Sequence, residues 1–154
     1  MKRKILSILL AVLSLVCASS CSLTDGVKKL LEKLEGKTDG VALAYHMEVT
    51  ETHVVIIPES QIGEATLIDY MERVRLNGGF SFEMKDGMVT SINGKANTAD
   101  FSGCWMLYTS DVEFSNTAWG TVEYGEKTLG SAIVGAEELP TKVNEIYLWE
   151  YCSF

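Results

Sequence analysis

The reading turns on one stretch: Thr66-Leu67-Ile68-Asp69-Tyr70-Met71-Glu72-Arg73-Val74-Arg75-Leu76-Asn77-Gly78-Gly79-Phe80-Ser81-Phe82-Glu83-Met84-Lys85-Asp86-Gly87. Within it the apolar period changes from helical to alternating. Leu67, Met71 and Val74 fall on one helical face. Thr66 with Asp69 three residues on resembles a capping box, with Asp in place of the usual Glu. Asn77-Gly78-Gly79 ends the helix. Phe80, Phe82 and Met84 then alternate with Ser81, Glu83 and Lys85, the period of a strand with one buried face. Asp86-Gly87 supplies a tight hairpin turn, because both residues tolerate positive φ. The chain returns through Met88 to Asn93, and Gly94 breaks the run.

Working outward, residues 41–50 and 51–58 read as two strands. His53-Val54-Val55-Ile56-Ile57 is a continuous β-branched run, as in a strand buried on both faces. Ser60 to Gly63 forms a turn. Downstream, 104–109 is an aromatic-rich strand and 110–118 a polar loop. Residues 121–124 and 131–134 are short strands, and 145–152 is the last. In that last strand Tyr147, Trp149 and Tyr151 share one face, and Ile146 and Leu148 occupy the other. The aromatic face needs either the helix or a partner to cover it. The order predicts an α+β domain over 41–154, β-grasp-like, with one helix packed on a mixed β-sheet.

The chain has 154 residues, 47% apolar and 22% charged, with a formal charge of −8. That balance excludes disordered and multi-span membrane classes and speaks against a nucleic-acid partner. Lys2, Arg3 and Lys4 precede an uncharged run over 5–18 that is shorter than the roughly 20 residues of a bilayer span. Residues 1–20 therefore read as a secretory signal. Ala18-Ser19-Ser20-Cys21 resembles the lipobox of bacterial lipoproteins, whose cysteine receives a lipid and becomes the new amino terminus. The expectation is a lipid anchor at Cys21, a tether over 21–40 and a location at the extracytoplasmic face of the cell membrane. Cleavage removes three basic residues and no acidic ones, so the mature domain is more acidic still and stands off anionic lipid. Cys104 and Cys152 then pair as a disulfide, which such a compartment permits, or pack as two buried thiols.

Few motifs point to catalysis or metal binding. Gly-x-Ser-x-Gly, His-Glu-x-x-His, phosphate-loop and dinucleotide fingerprints do not occur. His46 and His53 lie on either side of a turn and read as structural. Asp100, Asp111 and Glu113 follow no calcium-loop spacing. Glu137-Glu138 reads as solvated loop. The expectation is a protein without catalytic residues and without a bound metal.

Several segments together resemble the transcobalamin-like C-terminal domain family. They are Thr66-Leu67-Ile68-Asp69-Tyr70-Met71, then Gly87-Met88-Val89-Thr90-Ser91-Ile92-Asn93-Gly94-Lys95, then Trp105-Met106-Leu107-Tyr108, Gly120, Tyr124 and Ile146-Tyr147-Leu148-Trp149-Glu150-Tyr151. The resemblance spans 65–151. It implies a β-grasp domain of the kind that closes over one side of a corrinoid (cobalamin-like) ligand. It also implies that Trp105, Met106 and Leu107 approach that ligand. The helical domain that supplies the other side of the carrier site has no counterpart here, so a partner would complete it. The alternative expectation is a surface adhesion or assembly module that binds protein or glycan and takes no small molecule.

Overall fold

The computed structural model describes residues 43–61 and 63–154. The expected signal segment 1–20, the expected lipid anchor at Cys21 and the expected tether 21–40 lie outside the described residues. The elements are β1 (Tyr45–Val49), β2 (His53–Pro58), α1 (Leu67–Leu76), β3 (Phe82–Lys85), β4 (Met88–Ile92), β5 (Lys95–Ala96), β6 (Gly103–Thr109), β7 (Ser115–Tyr124), β8 (Lys127–Ala132) and β9 (Tyr147–Ser153).

The helix begins where the capping residues place it. The Asp69 carboxylate accepts hydrogen bonds from the Thr66 backbone N–H at 3.3 Å and from its hydroxyl at 3.1 Å. Two N–H groups of the first turn find acceptors elsewhere in the chain: Leu67 donates to Leu139 O at 2.7 Å and Ile68 to Ala136 O at 2.9 Å. The 136–139 segment thus satisfies donors that no helix can satisfy internally. At the other end Gly78 takes a φ of +77°, and Gly79 N–H returns to Val74 O at 3.1 Å.

Among the described residues the strands form two sheets, and every pairing is antiparallel. The larger has six strands in the order β1-β2-β9-β6-β8-β7, and the smaller has the order β3-β4-β5. The coarse α+β expectation therefore holds, with one short helix among the described residues of a mostly β domain. The single mixed sheet is corrected to two antiparallel ones. The reason lies in the short links. Hairpins join β1 to β2, β3 to β4, β4 to β5 and β7 to β8, and a hairpin can only make an antiparallel pair. Asp86 and Gly87 both have positive φ, as do Asn93 and Gly94, so two tight turns of the same kind stack β3, β4 and β5. The predicted polar loop over 110–118 is also corrected. β7 already begins at Ser115, and a register shift between Asn116 and Thr121 leaves the intervening residues bulged out of the ladder. Polar, bulged strands hide from periodicity.

The larger sheet is buried on both faces at its centre. Val54, Ile56, Trp105, Leu107, Tyr147 and Trp149 point to one side, where they meet Leu67, Tyr70, Met71 and Val74 of α1 and Val89 and Ile92 of β4. The helix covers the aromatic face of β9, so Tyr147 and Trp149 need no partner. Val55, Tyr108, Ile146 and Leu148 point to the other side and cluster with Leu129 of β8, flanked by Val122 and Tyr124 of β7. Two edge strands also meet: the Tyr124 hydroxyl on β7 donates to Glu48 Oε1 on β1 at 2.8 Å. The six-stranded sheet therefore curls far enough for side chains of its first and last strands to touch, with the second cluster inside the curl.

Met71 is fully buried and Met88 is half exposed. Met71→Ala should destabilise the fold by about 2–5 kcal/mol in urea unfolding, because it removes apolar contacts and leaves a cavity. Met88→Ala should fall within about 0.5 kcal/mol of the parent protein.

Candidate functional site

The three residues expected at a ligand sit on alternate faces of β6. Trp105 is 6% exposed and Leu107 is 8% exposed, both within the helix-side core. Met106 is half-buried on the opposite face, beside the inner cluster. Successive strand residues point to opposite sides, so the three do not form one contact surface. Trp105 is also committed elsewhere: its indole N–H donates to Lys95 O at 2.8 Å, and its ring meets Tyr151 edge-on at 5.4 Å between centroids.

That commitment leads to a cleft. Thr50 and Glu51 of the β1–β2 turn face Ile92, Asn93, Gly94 and Lys95 around the β4–β5 turn, and together they line an open cleft of about 460 Å³. Lys95 Nζ lies 4.1 Å from the centroid of the Tyr151 ring, a cation–π contact. The Tyr151 hydroxyl donates to Ala96 O at 3.2 Å, and its backbone N–H donates to Thr52 O at 2.8 Å. Tyr151 thus touches both turns that border the cleft. A Cβ on Gly103 would come within 2.6 Å of the Tyr151 hydroxyl oxygen, so the glycine lets the phenol lie close to the strand. The result is a small opening with a cation, a carboxylate and an aromatic backing.

A second group of chemistry-bearing residues gathers on the inner face of the curled sheet. His46 Nε2 lies 3.0 Å from Glu48 Oε1, the oxygen that also accepts from Tyr124. His53 Nε2 lies 3.2 Å from Glu150 Oε1 on the adjacent β9, and Thr52 Oγ1 is 3.0 Å from His53 Nδ1. Register explains this grouping: His53 faces Glu150, Glu150 faces Met106, and Cys152 faces Cys104. The two histidines, seven residues apart, share a face because the β1–β2 turn reverses the chain between them. The His46 hydrogen bond, with a smaller contribution from Tyr124, holds the Glu48 carboxyl below its ordinary value of 4.5. Burial, followed by the neighbouring Glu48, pushes the Tyr124 hydroxyl up.

Asp111 and Glu113 turn out to be structural. Lys142 Nζ pairs with Asp111 at 2.7 Å and with Glu113 at 3.1 Å. Tyr147 donates to Pro140 O at 3.0 Å and accepts from Lys142 N–H at 2.9 Å. Together these bonds tie the turn after β6 to the segment entering β9. Asp100 accepts from Ser102 N–H at 3.1 Å and from its hydroxyl at 2.8 Å. Hydrogen bonding from Thr98 first, then Ser102, lowers its carboxyl to about 2. Among the described residues no group of three or more His, Cys, Asp or Glu side chains is arranged to hold a metal ion. No described helix is long and apolar enough to cross a membrane.

Sequence reasoning did not single out Lys95 or the turn that carries it. Asn93-Gly94 is the same hairpin signal as Asp86-Gly87, and it marks both β5 and the cleft wall. The Tyr124–Glu48 contact joins residues far apart in sequence, and no local pattern announces it.

No family model matches the chain, and neither do any curated protein or solved structure.

Glu48 gives a direct test of the curl. Its folded carboxyl binds a proton less readily than its unfolded one. The Glu48 contacts with His46 and Tyr124 therefore contribute stability above the unfolded carboxylate range, and that contribution fades as pH falls through the lower folded value. A carbon-detected NMR titration of Glu48 should give a midpoint below 4.5. The midpoint should rise in His46→Ala and rise by less in Tyr124→Phe; a Glu48 midpoint unmoved by either change would count against the contact.

Proposed function

We propose that this chain is a lipid-anchored, extracytoplasmic binding module that works by contact and not by catalysis. Its leading ligand class is a corrinoid or a similar flat, partly apolar molecule held jointly with a partner. The β-grasp reading belongs to this proposal. It draws support from a hairpin, one helix laid against the sheet and later strands pairing beside β2.

The cleft between the β1–β2 and β4–β5 turns is the observation that carries the ligand reading. Its volume lies toward the low end of small-molecule sites, and it is open to solvent. Such a cleft suits one edge of a larger ligand, with the remaining surface covered by another protein. Lys95 and Glu51 offer polar contacts at the rim, and Tyr151 holds Lys95 from behind through its ring. Trp105 acts from beneath as a support, by holding the Lys95 carbonyl. The binding role expected for the Trp105 strand thus moves to the turn that Trp105 buttresses.

A second reading rests on different residues. Trp119 on edge strand β7 is 65% exposed, and Phe101 and the terminal Phe154 are also exposed. Phe154 N–H donates to Ser102 O at 2.8 Å, which brings the two phenylalanines to the same end of the domain. Exposed aromatics at an edge and an end suit a surface adhesion or assembly module.

Titration of the purified protein with cyanocobalamin separates the two. The corrinoid reading expects a shift in the visible spectrum, weakened at least about tenfold in Lys95→Glu. Trp105→Ala is unsuitable for this purpose, since emptying a core site of that size costs about 3–5 kcal/mol of stability. An unchanged spectrum at high micromolar protein would leave the aromatic surface as the working site.

The anchor has its own test. Cys21→Ser should move the protein from the membrane fraction to the soluble fraction, and continued membrane retention would remove the lipid from the account.

A further inference from the structure

We propose that Cys104 and Cys152 form a reversible redox pair: a disulfide oxidant closes them into a bridge across β6 and β9, and a thiol reductant reopens it. The two residues are direct register partners, so their side chains leave the sheet on the same face. Both are free thiols here, with Cys104 buried and Cys152 half-buried.

The type of pairing follows from the neighbouring amides. Trp105 N–H donates to Asn97 Oδ1 at 2.9 Å and Tyr151 N–H donates to Thr52 O, each turned away from the other strand. Trp105 and Tyr151 are therefore a non-hydrogen-bonded pair. Pairs alternate along an antiparallel ladder, so Cys104 and Cys152 are a hydrogen-bonded pair, with Cα atoms about 5.5 Å apart. That separation lies inside the disulfide range of about 4.4–6.8 Å. Side chains stand farther apart in such pairs than in the alternate kind, so closure draws the two Cβ atoms together against the ladder. A bridge made under that tension is more easily reduced than a relaxed structural one.

The chemistry balances through thiol–disulfide exchange. The Cys152 thiolate, the more accessible of the two, attacks a small disulfide such as oxidised glutathione and releases one thiol. The Cys104 thiolate then attacks the mixed disulfide at the Cys152 sulfur, forms the protein bridge and releases the second thiol. The protein loses two electrons and two protons, and the small disulfide is reduced. Burial first, with Glu150 and Cys104 adding to it, pushes the Cys152 thiol up, which slows the first attack near neutral pH. The Tyr108 hydroxyl lies 3.9 Å from the Cys152 sulfur, so closure also alters the polar surroundings of the inner cluster.

The test uses the chain carrying Cys17→Ser and Cys21→Ser, so that only this pair can react, and it does not depend on ligand or location. The protein is equilibrated in oxidised and then reduced glutathione, quenched in acid, denatured, alkylated and weighed intact. The expected species in the oxidised buffer is two hydrogens lighter and carries no alkyl group. The expected species in the reduced buffer carries two. Cys104→Ser should instead retain one glutathione on Cys152. Two alkylated thiols at every ratio, or glutathione on both cysteines without a bridge, would overturn the pairing. A bridge that survives excess reduced glutathione would overturn its reversibility. The parent pair supplies these outcomes by itself, should the serine variant fail to fold.

Discussion

The ladder between β6 and β9 is the constraint on which the rest of the domain depends. From Gly103 opposite Ser153 to Thr109 opposite Tyr147 it runs in unbroken register, and both strands bury residues on both faces. One face gives Trp105, Leu107, Tyr147 and Trp149 to the helix-side core. The other gives Tyr108 and Leu148 to the cluster inside the curl, joined by Ile146 just before β9. A one-residue slip would exchange the two sets and place each against the wrong neighbours. The ladder therefore fixes where the helix docks, how the sheet curls and which residues remain available for contact.

Much of this was legible in the chain. The Thr66–Asp69 cap, the Leu67, Met71 and Val74 face and the Asp86-Gly87 turn are local signals, and each element formed where its signal lay. The double-sided burial of β2 was also legible, because Val54, Val55 and Ile56 leave no polar alternation. β7 was not. Its sequence is polar and interrupted by a bulge, and it owes its pairing to β8 rather than to its own pattern. Sheet order was likewise hidden, since β6 and β9 are brought together by long-range pairing that no window of sequence contains. The faces of the expected contact residues were hidden too: Trp105 and Leu107 lie in the helix-side core, and Met106 lies on the opposite face. Their expected contact role came from the family resemblance and from no local pattern, and strand alternation places two of them in the core.

Function then follows from what the centre leaves over. The middle strands are consumed by packing, so turns and edges carry the available chemistry. The β1–β2 and β4–β5 turns hold Glu51 and Lys95 around a cleft, and the two sheet edges meet through Glu48 and Tyr124. Tyr151 links the two levels. It is a β9 residue packed on Trp105, and its ring and hydroxyl hold the turn that walls the cleft. Stability of the ladder and shape of the proposed site are thus coupled through one side chain. A ligand seated on Lys95 would report to the strand pair that carries Cys104 and Cys152.

Native-state amide hydrogen exchange tests the primacy of that ladder most directly. If β6 and β9 organise the domain, their ladder amides, together with those of β2, should exchange slowest of all and only through global unfolding, while β3–β5 and β7 open at lower free energy. Slowest exchange confined to the three-stranded sheet or to α1, with β6 and β9 opening first, would contradict the account.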